Sequence, residues 1–154
     1  MTYDPQRKAM EKPESEFSEK VVQIKRVSKK TKGGNQIHFT ALVVSGDKKS
    51  RVGVGLGKAK SVADAIAKGT KKAQKAMINV PIVKGTISSS IKLKYKSSRI
   101  ILRPGREGSG LITGGPVRCV VELAGIKDIV SKIFGSKNKA INVWATFKAL
   151  SILK

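Results

Sequence analysis

From Phe17 the chain alternates, with Val21, Gln23 and Lys25 on one side and Val22, Ile24 and Arg26 on the other, ending at Val27. That is the period of a strand. The polar stretch 28–35 (SKKTKGGN) reads as a turn, and the β-branched and aromatic run from Ile37 to Val44 as a second strand. Gly46-Asp47-Lys48-Lys49 then turns the chain into residues 51–59, where Gly53, Gly55 and Gly57 alternate with apolar residues. A strand with one bare face lets another backbone, the protein's own or a nucleic acid's, come close. Ser61 with Asp64 three residues on is a variant of the capping box. Behind it Val62, Ala65, Ile66, Gly69, Ala73 and Ala76 form one stripe, with Lys68, Lys71, Lys72 and Lys75 opposite. The spacing predicts a helix from Ser61 to about Asn79. The order is β-β-β-α, an antiparallel meander with a helix across one face.

Pro81 marks a change. Strand signals resume at Ile82–Val83, Ile91–Tyr95 and Arg99–Arg103, followed by the glycine-rich stretch PGREGSGLITGGPVR. Pro116 stands where a first helical residue would, and that helix ends at Ala124-Gly125. Residues 126–134 read as a strand, and Asn138 caps a last helix whose apolar stripe is Ile141, Trp144 or Ala145, Phe147 and Leu150. The chain therefore reads as α+β: a polar tail at 1–16, a β-β-β-α domain at 17–80, and a second α+β domain at 81–154.

Charge narrows the function classes. The 154 residues carry 32 Lys and Arg against 10 Asp and Glu, a net +22, and from Lys20 onward there are 29 bases and only 5 acids. So large an excess opposes compaction unless a polyanion offsets it, and a nucleic acid is the usual one. The bases are spread over strands, loops and helices, which disfavours a membrane-lying amphipathic helix. One cysteine, Cys119, forbids an internal disulfide and suits a reducing compartment. With no apolar run long enough to span a bilayer and no secretory signal, a soluble intracellular protein is expected.

Enzymatic readings find little support. Gly53-x-Gly55-x-Gly57-Lys58 has the spacing of neither the dinucleotide fingerprint nor the phosphate loop, and Gly108-x-Gly110 with Gly114-Gly115 is off by one. The plain reading of the latter is a close-packed turn feeding a helix. Residues 105–108 match the Gly-x-x-Gly of one RNA module, but a strand precedes them where that module has a helix. His38 is the sole histidine, expected half-exposed on a strand, and Cys119 reads as core. No acid–base pair, carboxylate pair or zinc site can be assembled from them. Neither a cofactor nor a metal is implied. Aromatics are few and none is placed like a base-stacking pair, so recognition by phosphate and shape is expected.

Arg51-Val-Gly-Val-Gly-Leu-Gly-Lys-Ala59, Met77-Ile-Asn-Val80, Gly108-Ser-Gly-Leu-Ile-Thr-Gly-Gly115 with Arg118, Glu122-Leu-Ala-Gly125 and Gly135-Ser-Lys-Asn138 carry a resemblance. Their order and spacing resemble protein five of the small ribosomal subunit, bacterial type, over residues 17–150. The resemblance implies a first domain similar to a double-stranded-RNA-binding domain without its first helix, and a second α+β domain of a type also found in some kinases and in the protein of ribonuclease P. It implies a cytoplasmic, non-enzymatic ribosomal protein, although an organellar ribosome would fit the same residues. Small-subunit ribosomal RNA is the implied main partner, with stabilisation of head against body and an effect on translational accuracy. Ribosomal proteins four and eight, and messenger RNA near where it enters, are implied as neighbours.

On the resemblance and the charge together, the RNA-binding candidates are Lys25, Arg26, Ser28, Lys29, Lys30, Lys32, Gly33, Gly34, Arg51, Gly53, Gly55, Lys58 and Lys60. Gly108, Gly110 and Arg118 are implied in the contact with protein four, and the loop Val27–Gly34 is where spectinomycin-resistance changes fall in the family. The chain departs from the family at Lys139, where proline is usual, at Trp144, which stands in an arginine's place, and in lacking a histidine at Ser88–Ser90. Two rivals frame this reading: a kinase-like enzyme using the Gly108–Gly115 loop, and a free-standing double-stranded-RNA chaperone.

Overall fold

A computed structural model describes residues 17–153; the tail expected at 1–16 lies outside them. Two long strands open the fold, β1 (Ser18–Thr31) and β2 (Gly34–Gly46), paired antiparallel from Ser18↔Gly46 to Thr31↔Gly34. The expected turn at 28–35 is thus mostly strand, and only Lys32-Gly33 turns the chain. The polar run SKKT shows no apolar alternation because neither of its faces is buried. A bulge between Val21 and Gln23 lets both Val22 and Gln23 be half-buried and shifts the alternation. β3 (Arg51–Ala59) pairs with β2, and α1 (Val62–Lys75) follows.

The helix stops earlier than its stripe suggests. Ser61 Oγ accepts from Asp64 N at 3.1 Å, and Asp64 and Lys72/Lys75 lie at the ends that suit the helix dipole. Ala65, Gly69 and Ala73 are buried, but Ala76 is exposed. Ile78–Asn79, predicted helical, form β4, which pairs with the start of β3 through Val52↔Ile78. Alternating apolar Ile78 and Val80 suit an extended segment over the core better than another helical turn. The first sheet is therefore four-stranded, in the order β1-β2-β3-β4.

β5 (Ile82–Val83) and β6 (Thr86–Ile87) make a small hairpin. A second sheet contains β7 (Ile91–Tyr95), β8 (Ser98–Pro104), β9 (Leu111–Ile112) and β10 (Ile129–Phe134), in the order β7-β8-β10-β9. β6 and the two-residue β9, parallel to β10, were too short to read from periodicity. α2 (Gly115–Ala124) and α3 (Lys139–Ile152) complete the chain. Gly114 is the cap residue of α2, which places Pro116 second rather than first in the helix. Gly125, at φ 89°, closes the helix, with Ile126 N donating to Val121 O. Ile126 is thereby engaged, and Lys127 and Asp128 donate to Gly85 O, so β10 begins at Ile129 instead of Ile126.

Asn138 Oδ1 accepts from Ala140 N and caps α3 as expected. The buried face of that helix differs from the expected stripe: Val143, Ala145, Thr146, Ala149 and Leu150 are inside, whereas Ile141, Trp144 and Phe147 are half-buried. Asn142 is buried because it is hydrogen-bonded, accepting from Ser98 Oγ at 2.7 Å and donating to Ser136 O at 3.0 Å. Trp144 stands edge-on to Phe147, ring centroids 5.8 Å apart, so the tryptophan found where the resembled family has arginine is used for packing.

One core runs across the change at Pro81. Leu42, Val44, Val52 and Val54 from the first sheet share a buried cluster with Val117, Val120, Val121 and Leu150. The first sheet is thus covered on one face by α1, through Ala41, Val43, Ala59 and Ala65, and at its lower end on the other by α2 and α3. The junction is close. A Cβ at Gly46 would fall on the Leu123 carbonyl, and one at Gly125 on that of Lys48. Lys48 N meanwhile donates to Leu123 O at 3.0 Å.

Candidate nucleic-acid interface

β3 pairs with β2 only as far as Phe39↔Ala59, while β1 and β2 continue to Thr31↔Gly34. Rows Val27↔His38 to Thr31↔Gly34 therefore form a free two-stranded ribbon, about 15 Å long at strand spacing. Thr31 Oγ1 donates to Gly34 O at 2.7 Å across the tip, and Gly34 adopts φ 116°, which a side chain would resist. Register sorts the cations. Lys25, Thr40 and Lys58 share a row on the face away from α1, and Arg26, Phe39 and Ala59 share one on the α1 face. Lys29 and Lys30 point to opposite sides of the ribbon for the same reason. Three bases (Lys29, Lys30 and Lys32) stand on this arm and two more, Lys25 and Arg26, at its foot, with no acid between Lys20 and Gly46, and every residue from Ile24 to Ile37 is exposed.

Beside the foot of the arm, Lys58, Lys60, His38, Asp64 and Lys68 line an open cleft of about 470 Å³. His38 is half-buried on its strand, as expected. It and Lys68 were not among the candidates. Their shared place follows from β2–β3 register and from where α1 lands on the sheet, neither of which is local in sequence.

Other candidates separate from this group. Gly53, Gly55 and Gly57 lie beneath α1, where a Cβ would strike the carbonyl oxygens of Ala73, Gly69 and Ala65 respectively. The backbone that the bare face admits is the protein's own, so Gly53 and Gly55 offer no surface to RNA. Arg51 is seven residues from Lys58, roughly 23 Å along the strand. Its Nε donates to Asp47 Oδ2 at 2.9 Å, and its guanidinium lies over the Phe17 ring, 5.3 Å from the centroid. Asp47 Oδ1 accepts from the backbone N–H groups of Lys49, Ser50 and Arg51. Burial pushes this carboxyl up, but those three donors and the Arg51 side chain outweigh it and hold it well below the usual carboxylate range.

Gly108 and Gly110 have φ of 81° and 70°, and nothing stands within 4 Å of either Cβ position. Backbone angle, not the expected close packing, is why glycine is needed there. Gly110 N donates to Asp128 Oδ1 at 2.7 Å, so the loop already holds a carboxylate where a phosphate would have to sit. Both glycines border a cleft of about 960 Å³ with Lys84, Glu107 and Lys127. Arg118 is exposed on α2 and does not line it. Cys119, expected in the core, is only half-buried. Near it Lys20 Nζ donates to Glu122 Oε2 at 3.0 Å, which raises the lysine's pKa and ties β1 to α2. No helix among the described residues is long and apolar enough to cross a membrane.

The sequence matches two family models, "Ribosomal protein S5, N-terminal domain" over residues 17–81 and "Ribosomal protein S5, C-terminal domain" over residues 93–154. Small ribosomal subunit protein uS5 of Campylobacter jejuni (strain 81-176) is 52% identical over 139 residues, 90% of this chain and 95% of that one. The uS5 proteins of Chloroflexus aurantiacus and Rubrobacter xylanophilus are 50% and 51% identical, covering 88% and 91% of this chain and 76% and 70% of theirs.

Proposed function

The chain belongs to the ribosomal protein S5 family of bacterial type, and on that premise we propose that the β1–β2 arm is its grip on small-subunit ribosomal RNA. The protein is a structural, non-enzymatic constituent of the small ribosomal subunit and acts in translation in the cytoplasm. The observation that carries the arm's role is its construction: a ribbon that no other described strand or helix covers on either face, with bases on each and no acid among its own residues. An isolated two-stranded ribbon is marginal in stability, so bases placed there serve a partner better than they serve folding. Lys58, Lys60 and Lys68 at its foot extend the same cationic surface, and Ser28, Gly33 and Gly34 let the tip follow it. Arg51 acts at the other end of β3, through the guanidinium nitrogens that Asp47 leaves free.

The finer assignments rest on the family. We place the division of the chain at Pro81, with 17–80 as the double-stranded-RNA-binding-like part and 81–154 as the second domain. In this reading the arm reaches the head while the second domain stays with the body, which stabilises one against the other. The turn at Gly108 and Gly110, with Arg118, faces ribosomal protein four, where changes alter accuracy. Protein eight and messenger RNA near where it enters are further neighbours.

The test is a titration of the full chain with a duplex fragment of small-subunit ribosomal RNA at several salt concentrations. Affinity should fall steeply with salt and should weaken in Lys29→Ala/Lys30→Ala. Ribosomes carrying that variant should also respond differently to spectinomycin. An affinity flat in salt and unmoved by the variant would overturn the reading.

A further inference from the structure

The second sheet has one face against α2 and α3 and one face that no helix among the described residues covers. Ile91, Leu93, Ile100, Leu102, Ile129 and Ile133 point into the core. Their neighbours in each strand point the other way, and register sets them in three rows: Lys94, Arg99 and Phe134; Lys92, Ile101 and Lys132; Arg103, Val130 and Ile112. Five cations thus share this face. The six acids among the described residues (Glu19, Asp47, Asp64, Glu107, Glu122 and Asp128) all lie elsewhere, and neither ion pair among those residues involves this face. Phe134 is 46% exposed, Ile112 55% and Val130 37%, so an aromatic ring and two aliphatic side chains stand open among these cations. Lys92, Lys94, Arg99, Ile101 and Phe134 line an open cleft of about 500 Å³.

We propose that this open sheet face is a second RNA-binding surface, built for a single strand, with one base stacked on Phe134 and the backbone held by Lys92, Lys94, Arg99, Arg103 and Lys132. Charge selects a polyanion, and the lack of any acid on this face among the described residues disfavours a partner of mixed charge. The exposed ring selects the single strand. A duplex keeps its bases stacked inside and offers an aromatic nothing, whereas an unpaired base lies flat on it. Cations on alternate residues of adjacent strands, flanking that ring, leave a track that a pliable backbone can follow. This differs from the arm, which has cations on two faces and no exposed aromatic. The inference rests on the protein being an RNA binder, but on a different surface from the one proposed above.

The experiment titrates the full chain, and four variants, with a fluorescein-labelled twelve-nucleotide oligouridine and with a blunt RNA duplex. Phe134→Ala should weaken oligouridine binding about fivefold or more, the loss of one stacked base, and leave the duplex unchanged. Lys92→Ala/Lys94→Ala should reduce the salt slope for oligouridine by about 1.4, or about 0.7 for each phosphate no longer neutralised. Lys29→Ala/Lys30→Ala should weaken the duplex more. In a Trp144→Phe background, Phe134→Trp should show fluorescence quenched by oligouridine. That signal also covers the case in which Phe134→Ala unfolds the sheet. Equal loss for both RNAs with a Phe134→Ala protein that melts like the unaltered one, or no quenching of the new tryptophan, would overturn the inference. So would unchanged RNA affinities in both sheet-face variants, the result expected if an acidic protein covers this face. If the unaltered protein bound neither RNA in a salt-dependent way, the arm's assignment would fall as well, which separates the two failures.

Discussion

Gly55 shows how a single missing side chain sets an architecture. A Cβ there would overlap the Gly69 carbonyl and crowd Ala73 N, so strand and helix approach closely only because both lack bulk at the crossing. Valine favours strands in general, yet Gly55→Val should destabilise the protein by about 3 kcal/mol or prevent folding, since α1 must move off the sheet. Urea denaturation monitored by circular dichroism checks this. A variant of equal or greater stability would show that the helix is free to shift. Asp47 makes the same point for charge. It organises the β2–β3 turn through three backbone donors, and Asp47→Ala should cost about 1–3 kcal/mol at neutral pH. Its carboxyl is held low in the fold, so its contribution is full above the ordinary carboxylate pKa, about 3.9. That contribution is lost as the pH falls toward the lower folded value. Asp47→Asn, which cannot titrate, should therefore lose less stability than the unaltered protein between pH 5 and pH 2. Thermal melts at a series of pH values decide it.

At the scale of elements, the arm is the part whose sequence pattern says least. Lys29 and Lys30 sit in strand, yet no alternation marks them, because a ribbon solvated on both faces has no apolar side to reveal its period. Their side chains touch nothing the core needs. Lys29→Ala/Lys30→Ala should leave stability within about 0.5 kcal/mol while weakening RNA binding. Early unfolding of that variant in a thermal melt would make the ribbon structural. The helices were more legible. Ser61, Gly125 and Asn138 act locally as caps, and local chemistry can be read locally. The end of α1 could not be read so, because Ile78 pairs with Val52, a neighbour supplied only by the sheet.

For the whole molecule, the shared core decides how the two halves behave. Leu42, Val44, Val52 and Val54 are each at most 2% exposed, and part of what covers them comes from beyond Pro81. A fragment ending at residue 80 would bare them and should aggregate or stay unfolded, despite its recognisable β-β-β-α order. The full chain should melt in a single transition, with far-ultraviolet circular dichroism and Trp144 fluorescence coinciding. Two separated transitions would mean that the halves are independent.

Alternation, caps and a +22 charge already specified an α+β chain that binds a polyanion, because periodicity, capping and net charge are properties of neighbouring residues or of plain sums. The grouping of Lys58, Lys60 and His38 with Lys68, the removal of Gly53 and Gly55 from the surface, and the cationic rows around Phe134 are matters of which elements pack together. Phe134 and Lys94 stand forty residues apart and meet across β8 only once two strands have paired on either side of it. That pairing is fixed by burial on the far face, so the chemistry of the open face is decided by the core beneath it.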